Sequence, residues 1–152
     1  MSVSGGVNDF VVRFANVNGT GSASANTMFA KAIFRMGVPV SAKNIFPSNI
    51  QGLPTWYEVR VNGDGYIGRR EGINLMVSVN PQSIDKDLKN TISGGYFMYD
   101  STWPLAKDKR REDIHYLEIP LMELSNEHFA DPRFRQLFKS IIYVGACCAL
   151  LN

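Results

Sequence analysis

The order of patterns at the start of the chain constrains its fold more than any other feature. Residues Asp9 to Ala15 (DFVVRFA) alternate, with Phe10, Val12 and Phe14 on one side, as in a strand with one buried face. A small polar turn follows, Asn16 to Ser22 (NVNGTGS). Apolar residues then recur at helical spacing: Ala25, Met28, Phe29, Ala32, Ile33 and Met36. Gly37 stands where a left-handed helix C-cap is expected. Strand, glycine turn and amphipathic helix together make the opening of an α/β domain.

The remaining chain continues this alternation. Val38 to Ala42 reads as a second short strand, and Asn44 to Pro54 (NIFPSNIQGLP), with two prolines, a glycine and no period, as loop. Thr55 to Val61 (TWYEVRV) alternates, and Asn62-Gly63 and Asp64-Gly65 predict a hairpin returning through Tyr66 and Ile67. Leu75 to Val79 (LMVSV) suits a buried parallel strand. Asn80-Pro81 caps a helix carrying Ile84 and Leu88, Gly94-Gly95 is expected to end it, and Tyr96 to Tyr99 gives the next strand. After a charged loop, Ser101 to Asp113, come a last strand at Ile114 to Ile119 and a short helix starting at Pro120. Asp131-Pro132 caps a final helix with its seam at Phe134, Leu137, Phe138, Ile141 and Ile142. The reading is a single domain over residues 1–152, a three-layer α/β/α sandwich with a mixed, mostly parallel sheet. Because the helix over 132–151 is still apolar where the sequence stops, the chain is expected to be a piece of a longer polypeptide, leading into a further domain.

Composition removes several classes of function. With 152 residues, 45% apolar and 20% charged, the chain has the make-up of an ordinary globular domain. A net charge of +2, with basic residues gathered on no periodic face, argues against a nucleic-acid partner. Apolar runs stay short of the roughly 18 residues that suggest a membrane span, and the first residues carry no signal-peptide pattern. Cys147 and Cys148 are helix neighbours pointing about 100° apart, so they read as core thiols of a reduced, cytoplasmic protein.

Two segments carry potential chemistry. The turn Asn18-Gly19-Thr20-Gly21-Ser22 precedes a helix, so its backbone amides and the helix dipole can face an anion. A packing turn, a phosphate or coenzyme contact and a dinucleotide site remain alternative readings of it. The last wants a further glycine near Ser24 and an acid at the end of the second strand, where the chain has Ala42, Lys43 and Asn44. The loop Phe46 to Pro54, with Ser48, Asn49, Gln51 and Gly52, suits a docking surface, the wall of a coenzyme channel, or a cover for one end of the sheet. The mixed-charge run Lys107 to Asp113 reads as solvated surface rather than a site for an acidic electron carrier, and neither His115 nor His128 has a nucleophile or metal motif nearby.

Taken in order, these segments resemble the gamma domain of the 2-oxoacid:ferredoxin oxidoreductase family, which includes the pyruvate and 2-oxoglutarate ferredoxin oxidoreductases. The similarity runs through Asn8-Asp9-Phe10-Val11-Val12-Arg13-Phe14-Ala15, the Gly19-x-Gly21 turn leading into Ala30-Lys31-Ala32, the Phe46-Pro47-Ser48-Asn49-Ile50-Gln51-Gly52 loop, and Trp56-Tyr57-Glu58-Val59-Arg60-Val61. The chain departs from the family pattern with Asn16 and Asn18 in place of glycine, Gln51 in place of arginine, and Leu53 in place of glycine. Losing the arginine removes a fixed bidentate cation.

The resemblance implies a part of a complex that converts a 2-oxoacid and coenzyme A to acyl-CoA and CO2, passing electrons to ferredoxin. Thiamine diphosphate and iron-sulfur clusters would lie in other domains, and the opening is most like enzymes in which this domain is fused ahead of the alpha portion. The expected role is contact with the other subunits, and with ferredoxin only indirectly, together with access of coenzyme A. The site residues would be Asn18, Gly19, Thr20, Gly21, Ser22, Ser48, Asn49, Gln51 and Gly52, none of them catalytic. A dinucleotide-binding oxidoreductase domain and a purely structural interaction domain are the alternatives.

Overall fold

A computed structural model describes residues 8–46 and 50–151. Six strands form one sheet in the order β2-β3-β1-β4-β5-β6: β1 (Asp9–Val17), β2 (Val40–Ile45), β3 (Pro54–Asn62), β4 (Ile73–Ser78), β5 (Thr91–Asp100) and β6 (His115–Ile119). β3 is antiparallel to both β1 and β2, while β1, β4, β5 and β6 pair in parallel. Only β3 therefore runs against the rest, and the expected mixed, mostly parallel sheet is found.

The helices divide between the two faces of the sheet. α1 (Ser22–Arg35) and α4 (Pro132–Leu151) cover one face, where Ala25, Phe29, Tyr143, Val144 and Cys147 pack on Val12, Phe14, Val59, Val61 and Val77. Phe14 is the hinge pin of this layer, meeting Phe29 edge-on at 5.3 Å and Tyr143 at 5.6 Å. Leu121 of α3 (Leu121–His128) joins the same core. α2 (Ile84–Asn90) and the 101–114 segment cover the other face, placing Leu88, Leu105 and Ile114 on Val11, Met76, Phe97 and Tyr99. Covered on both sides, β4 buries all six of its residues, which is why it reads as a continuous apolar run rather than an alternating one.

Three boundaries differ from the sequence reading. No return strand forms at Tyr66 and Ile67; Asn62 Oδ1 instead accepts from the amides of Asp64 and Tyr66, at 3.0 and 2.9 Å, so the side chain closes a local turn and the chain loops to β4. Gly94 and Gly95 do not end a helix. α2 stops at Asn90, and both glycines lie within β5 next to an irregularity in its pairing with β4. β2 runs three residues past Ala42, because its edge pairing with β3 supplies a ladder that a loop reading of Asn44 and Ile45 ignores.

Candidate functional site

β1 and β4 are neighbouring parallel strands whose outgoing connections leave on opposite faces, to α1 and to α2. This divergence opens a crevice beyond the strands' C-terminal ends, the usual ligand position in open α/β sheets. The glycine turn lies there. Gly19 and Gly21 take φ of 87° and 77°, left-handed values that cost other residues strain. Gly21 is the N-cap of α1 and no side chain among the described residues caps the helix, so its first-turn amides are free to face the crevice.

The turn and the proline-rich loop meet. Asn18 donates from its backbone amide to Leu53 O (2.9 Å) and from Nδ2 to Ile50 O (3.2 Å), and accepts from the Gly52 amide (3.1 Å). A Cβ on Gly19 would stand 2.8 Å from Gln51 Cγ, so Gly19 is also the point of closest approach. Thr20 Oγ1 turns inward, donating to Val17 O at 2.8 Å, and Ser22 is buried. Five of the sequence-derived site residues, Asn18, Gly19, Thr20, Gly21 and Ser22, thus sit in one turn, with Gln51 and Gly52 against it. Ser48 and Asn49 lie outside the described residues.

Between these segments lies a cavity of about 260 Å³, lined by Asn16, Asn18, Gly19, Gly21, Ser22, Asn26, Asn44, Phe46, Thr55 and Tyr57 among others. Its lining contains four asparagines and no Lys, Arg, His, Asp or Glu among the described residues. Beneath it, three buried side chains form a closed ring. Asn26 Nδ2 donates to Asn16 Oδ1 (2.8 Å), Asn16 Nδ2 to Tyr143 OH (3.3 Å), and Tyr143 OH to Asn26 Oδ1 (2.8 Å). Asn80 Nδ2, after β4, donates to Asn16 O at 3.2 Å and ties the two diverging connections together. Burial pushes the Tyr143 hydroxyl up to about 12, so it stays protonated and donates. Thr55 Oγ1, also at the cavity, is buried and has no hydrogen-bond partner among the described residues.

Trp56, next to the cavity, is held from the opposite face of the sheet. Its Nε1 donates to Asp87 Oδ1 (2.7 Å), while Ser78 and Ser83 hydroxyls donate to Asp87 Oδ2 (2.7 and 2.8 Å). Desolvation raises the Asp87 pKa and outweighs these three donors, which act to lower it. Lys86 Nζ lies 4.3 Å above the indole ring. Asn26, Asn44, Thr55, Asp87 and Tyr143 were not singled out from sequence as site residues, and Asn80 only as a helix cap. The one local signal is Asn26, a carboxamide on the apolar face of α1 between Ala25 and Phe29.

Three of the run's four basic residues are occupied within the fold. Lys109 bonds Asp85 (2.8 Å), Arg110 bonds Glu118 (2.6 Å) and Tyr99 OH (2.7 Å), and Arg111 bonds Leu88 O (2.6 Å), Thr91 O (2.7 Å) and Asp113. They clamp α2 to the β5–β6 connection. His115 stacks on Tyr96 at 4.9 Å, far from the turn in the sheet, and His128 ends α3.

Residues 11–152 match the family model described as pyruvate ferredoxin/flavodoxin oxidoreductase. This chain belongs to that family. Comparison with curated protein sequences found no match. Among solved structures, the fold is shared with 2-oxoglutarate:ferredoxin oxidoreductase from Magnetococcus marinus (TM-score 0.74, 21% identity), a structure with 2-oxoglutarate, coenzyme A and succinyl-CoA bound. That match covers 86% of this chain but 23% of the other, so this member of the oxidoreductase family spans under a quarter of that relative. The gamma subunit of a keto/oxoacid ferredoxin oxidoreductase from Geobacter sulfurreducens matches at TM-score 0.74 and 16% identity, over 93% of this chain and 76% of that one. A pyruvate oxidoreductase subunit from Thermotoga maritima matches at TM-score 0.62 and 15% identity, over 79% and 66% of the two chains.

Proposed function

We propose that this chain is the gamma domain of a 2-oxoacid:ferredoxin oxidoreductase, joining its other subunits and shaping the approach of coenzyme A without performing chemistry. The complex would convert a 2-oxoacid and coenzyme A to acyl-CoA and CO2 and deliver electrons to ferredoxin, with thiamine diphosphate and iron-sulfur clusters held in other parts. The observation that carries this reading is the meeting of the glycine turn and the proline-rich loop over a neutral cavity lined with carboxamides. A cavity whose described lining holds no cation suits the amides of the pantetheine arm better than the phosphates, which want Arg or Lys. Uncapped α1 amides, Asn44 and the Thr55 hydroxyl are the donors and acceptors available to it.

The rim supports the contact role. Phe46, Ile50 and Leu53 are exposed apolar residues next to the cavity, an arrangement suited to a neighbouring chain closing over a bound coenzyme. Two free thiols, Cys147 and Cys148, support a reducing, cytoplasmic setting.

Steady-state kinetics of the assembled complex test the proposal. N44A and T55V are each expected to raise the apparent KM for coenzyme A about 3- to 10-fold, the value of one lost hydrogen bond, while half-saturation for the 2-oxoacid stays put. If both variants leave the KM for coenzyme A unchanged, the cavity is not on the coenzyme's route and the purely structural role stands.

A further inference from the structure

The regular ladder between β1 and β4 closes at Ala15 against Ser78, and the Val79 amide adds a last rung to Ala15 O at 3.1 Å. One residue further on the two connections diverge and the crevice begins. A side chain crosses it there: Asn80 Nδ2 donates to Asn16 O at 3.2 Å.

Asn80 does two things with one planar group. Its Oδ1 accepts from the Gln82 amide at 3.0 Å and caps the short helical turn Pro81–Ser83 that leads into α2. Its Nδ2 goes to β1, an element that the cap does not involve. Ser, Thr or Asp would also serve as the cap. Among these residues, the carboxamide carries an acceptor and a separate N–H donor side by side. Capping alone therefore leaves the choice of residue open, and the bond to Asn16 accounts for it. Asn80 is 1% exposed, so both bonds are made away from water.

The bond lands where the cavity is built. Asn16 lines that cavity, and its own carboxamide is committed to Asn26 and Tyr143. Two residues on, Asn18 makes the join with Leu53 and Gly52. Holding Asn16 O fixes the peptide plane from which both the buried ring and the glycine turn continue. On the far side, Asn80 O accepts from the Ser83 amide at 3.2 Å, and the Ser83 hydroxyl is shared between Asn80 O (3.2 Å) and Asp87 Oδ2 (2.8 Å). The floor of the cavity is thereby anchored to α2 on the opposite face of the sheet.

We infer that Asn80 is a positioning residue for coenzyme A, setting Asn16 and the glycine turn in place from across the crevice while standing outside the described lining of the cavity. The inference rests on the reading of that cavity as the coenzyme's contact.

Two substitutions separate its two roles. N80S and N80D both keep an oxygen for the Gln82 amide; N80S withdraws the donor from Asn16 O, and N80D sets an acceptor against it. In the assembled complex, N80S is expected to raise the KM for coenzyme A about 3- to 10-fold, with kcat and half-saturation for the 2-oxoacid unchanged. N80D is expected to raise it further. A residue that only caps predicts no such series, because Asp caps as well as Asn. Where N80D is too unstable to assemble, N80S decides alone, by whether KM rises while kcat holds. If N44A and T55V raise the KM for coenzyme A and N80S does not, this inference fails and the proposed function stands. If N44A and T55V also leave it unchanged, both fall together. A lower thermal midpoint or kcat in N80S with KM intact makes Asn80 a helix cap and nothing more.

Discussion

At the scale of single residues, buried polar groups decide where the domain is vulnerable. Tyr143 and Cys147, neighbours on the inner face of α4, both have their proton loss pushed up to about 12 by burial. Their folded pKa values lie above the unfolded ones, so the stability they contribute is complete below pH 9 and is lost as pH rises toward 12. For Tyr143 the change amounts to about 2–3 kcal/mol. Urea midpoints measured between pH 8 and pH 11 are expected to fall for the wild type and to fall less steeply for Y143F, which has no proton to lose. At pH 7 the same variant is expected to be less stable by about 1–3 kcal/mol, because the Asn16 and Asn26 carboxamides are left short of a partner. Lys139 and Asp100 present the opposite sign. Their side chains are 9% and 3% exposed and 2.9 Å apart. Burial works to raise the Asp100 carboxyl, but the Lys139 ammonium and the Thr102 amide overcome it and the net direction is down. The stability this pair confers is present above the ordinary carboxylate range and fades as pH drops through the lowered pKa. K139A is expected to cost about 3–5 kcal/mol by stranding a buried carboxylate, and K139A/D100N to recover much of it; thermal melts of the two variants check both values.

At the scale of elements, the join between turn and loop is the piece on which the site's shape depends. Gly19 needs a left-handed backbone and has Gln51 against its Cα. G19A is expected to cost about 1–2 kcal/mol for conformation alone, with a further steric share from Gln51. The double variant G19A/Q51A is expected to recover only the steric share, and the difference in thermal midpoints between the two separates the terms. The order of elements was largely legible from local patterns. β1, the turn, α1 and its Gly37 cap stand where alternation, glycine and helical spacing put them. Asn80 and Asp131 accept from the Gln82 and Arg133 amides as capping residues should. The misses share a cause. Asn62-Gly63 is a strong hairpin signal, but a hairpin needs a second strand with somewhere to pair, and β3 already has β1 and β2 on its two edges. Gly94-Gly95 breaks a helix only where a helix continues that far; here β5 pairs with β4 at Thr91 and again from Tyr96, and the two glycines fall in the irregular stretch between.

At the scale of the whole molecule, sheet order turns two unremarkable loops into one site. The turn after β1 and the loop before β3 are about thirty residues apart in the chain, and become neighbours because β3 returns antiparallel along the whole of β1, from Asp9 against Asn62 to Val17 against Pro54. The same order puts the β1 and β4 connections on opposite faces and so leaves the crevice. N26A, which empties part of the ring beneath the cavity, is expected to lower the thermal midpoint and to raise the KM for coenzyme A in the assembled complex more than it lowers kcat. A change in stability alone, with KM intact, would assign the ring to folding and not to the site.

Local sequence dictated the elements of this protein, because alternation, helical spacing and capping act between residues a few positions apart and need no partner. It also marked Gly19, Gly21, Gln51 and Gly52 as members of two unusual segments. The tertiary structure alone decided that these segments touch. It also decided that Tyr143 would close a ring with Asn16 and Asn26, 127 and 117 positions away, and that Lys109, Arg110 and Arg111 would be taken up by acids and carbonyls of their own chain. Contacts of that kind depend on which strands become neighbours. Strand order is chosen by the burial of the whole sheet, and no short stretch of the chain encodes it.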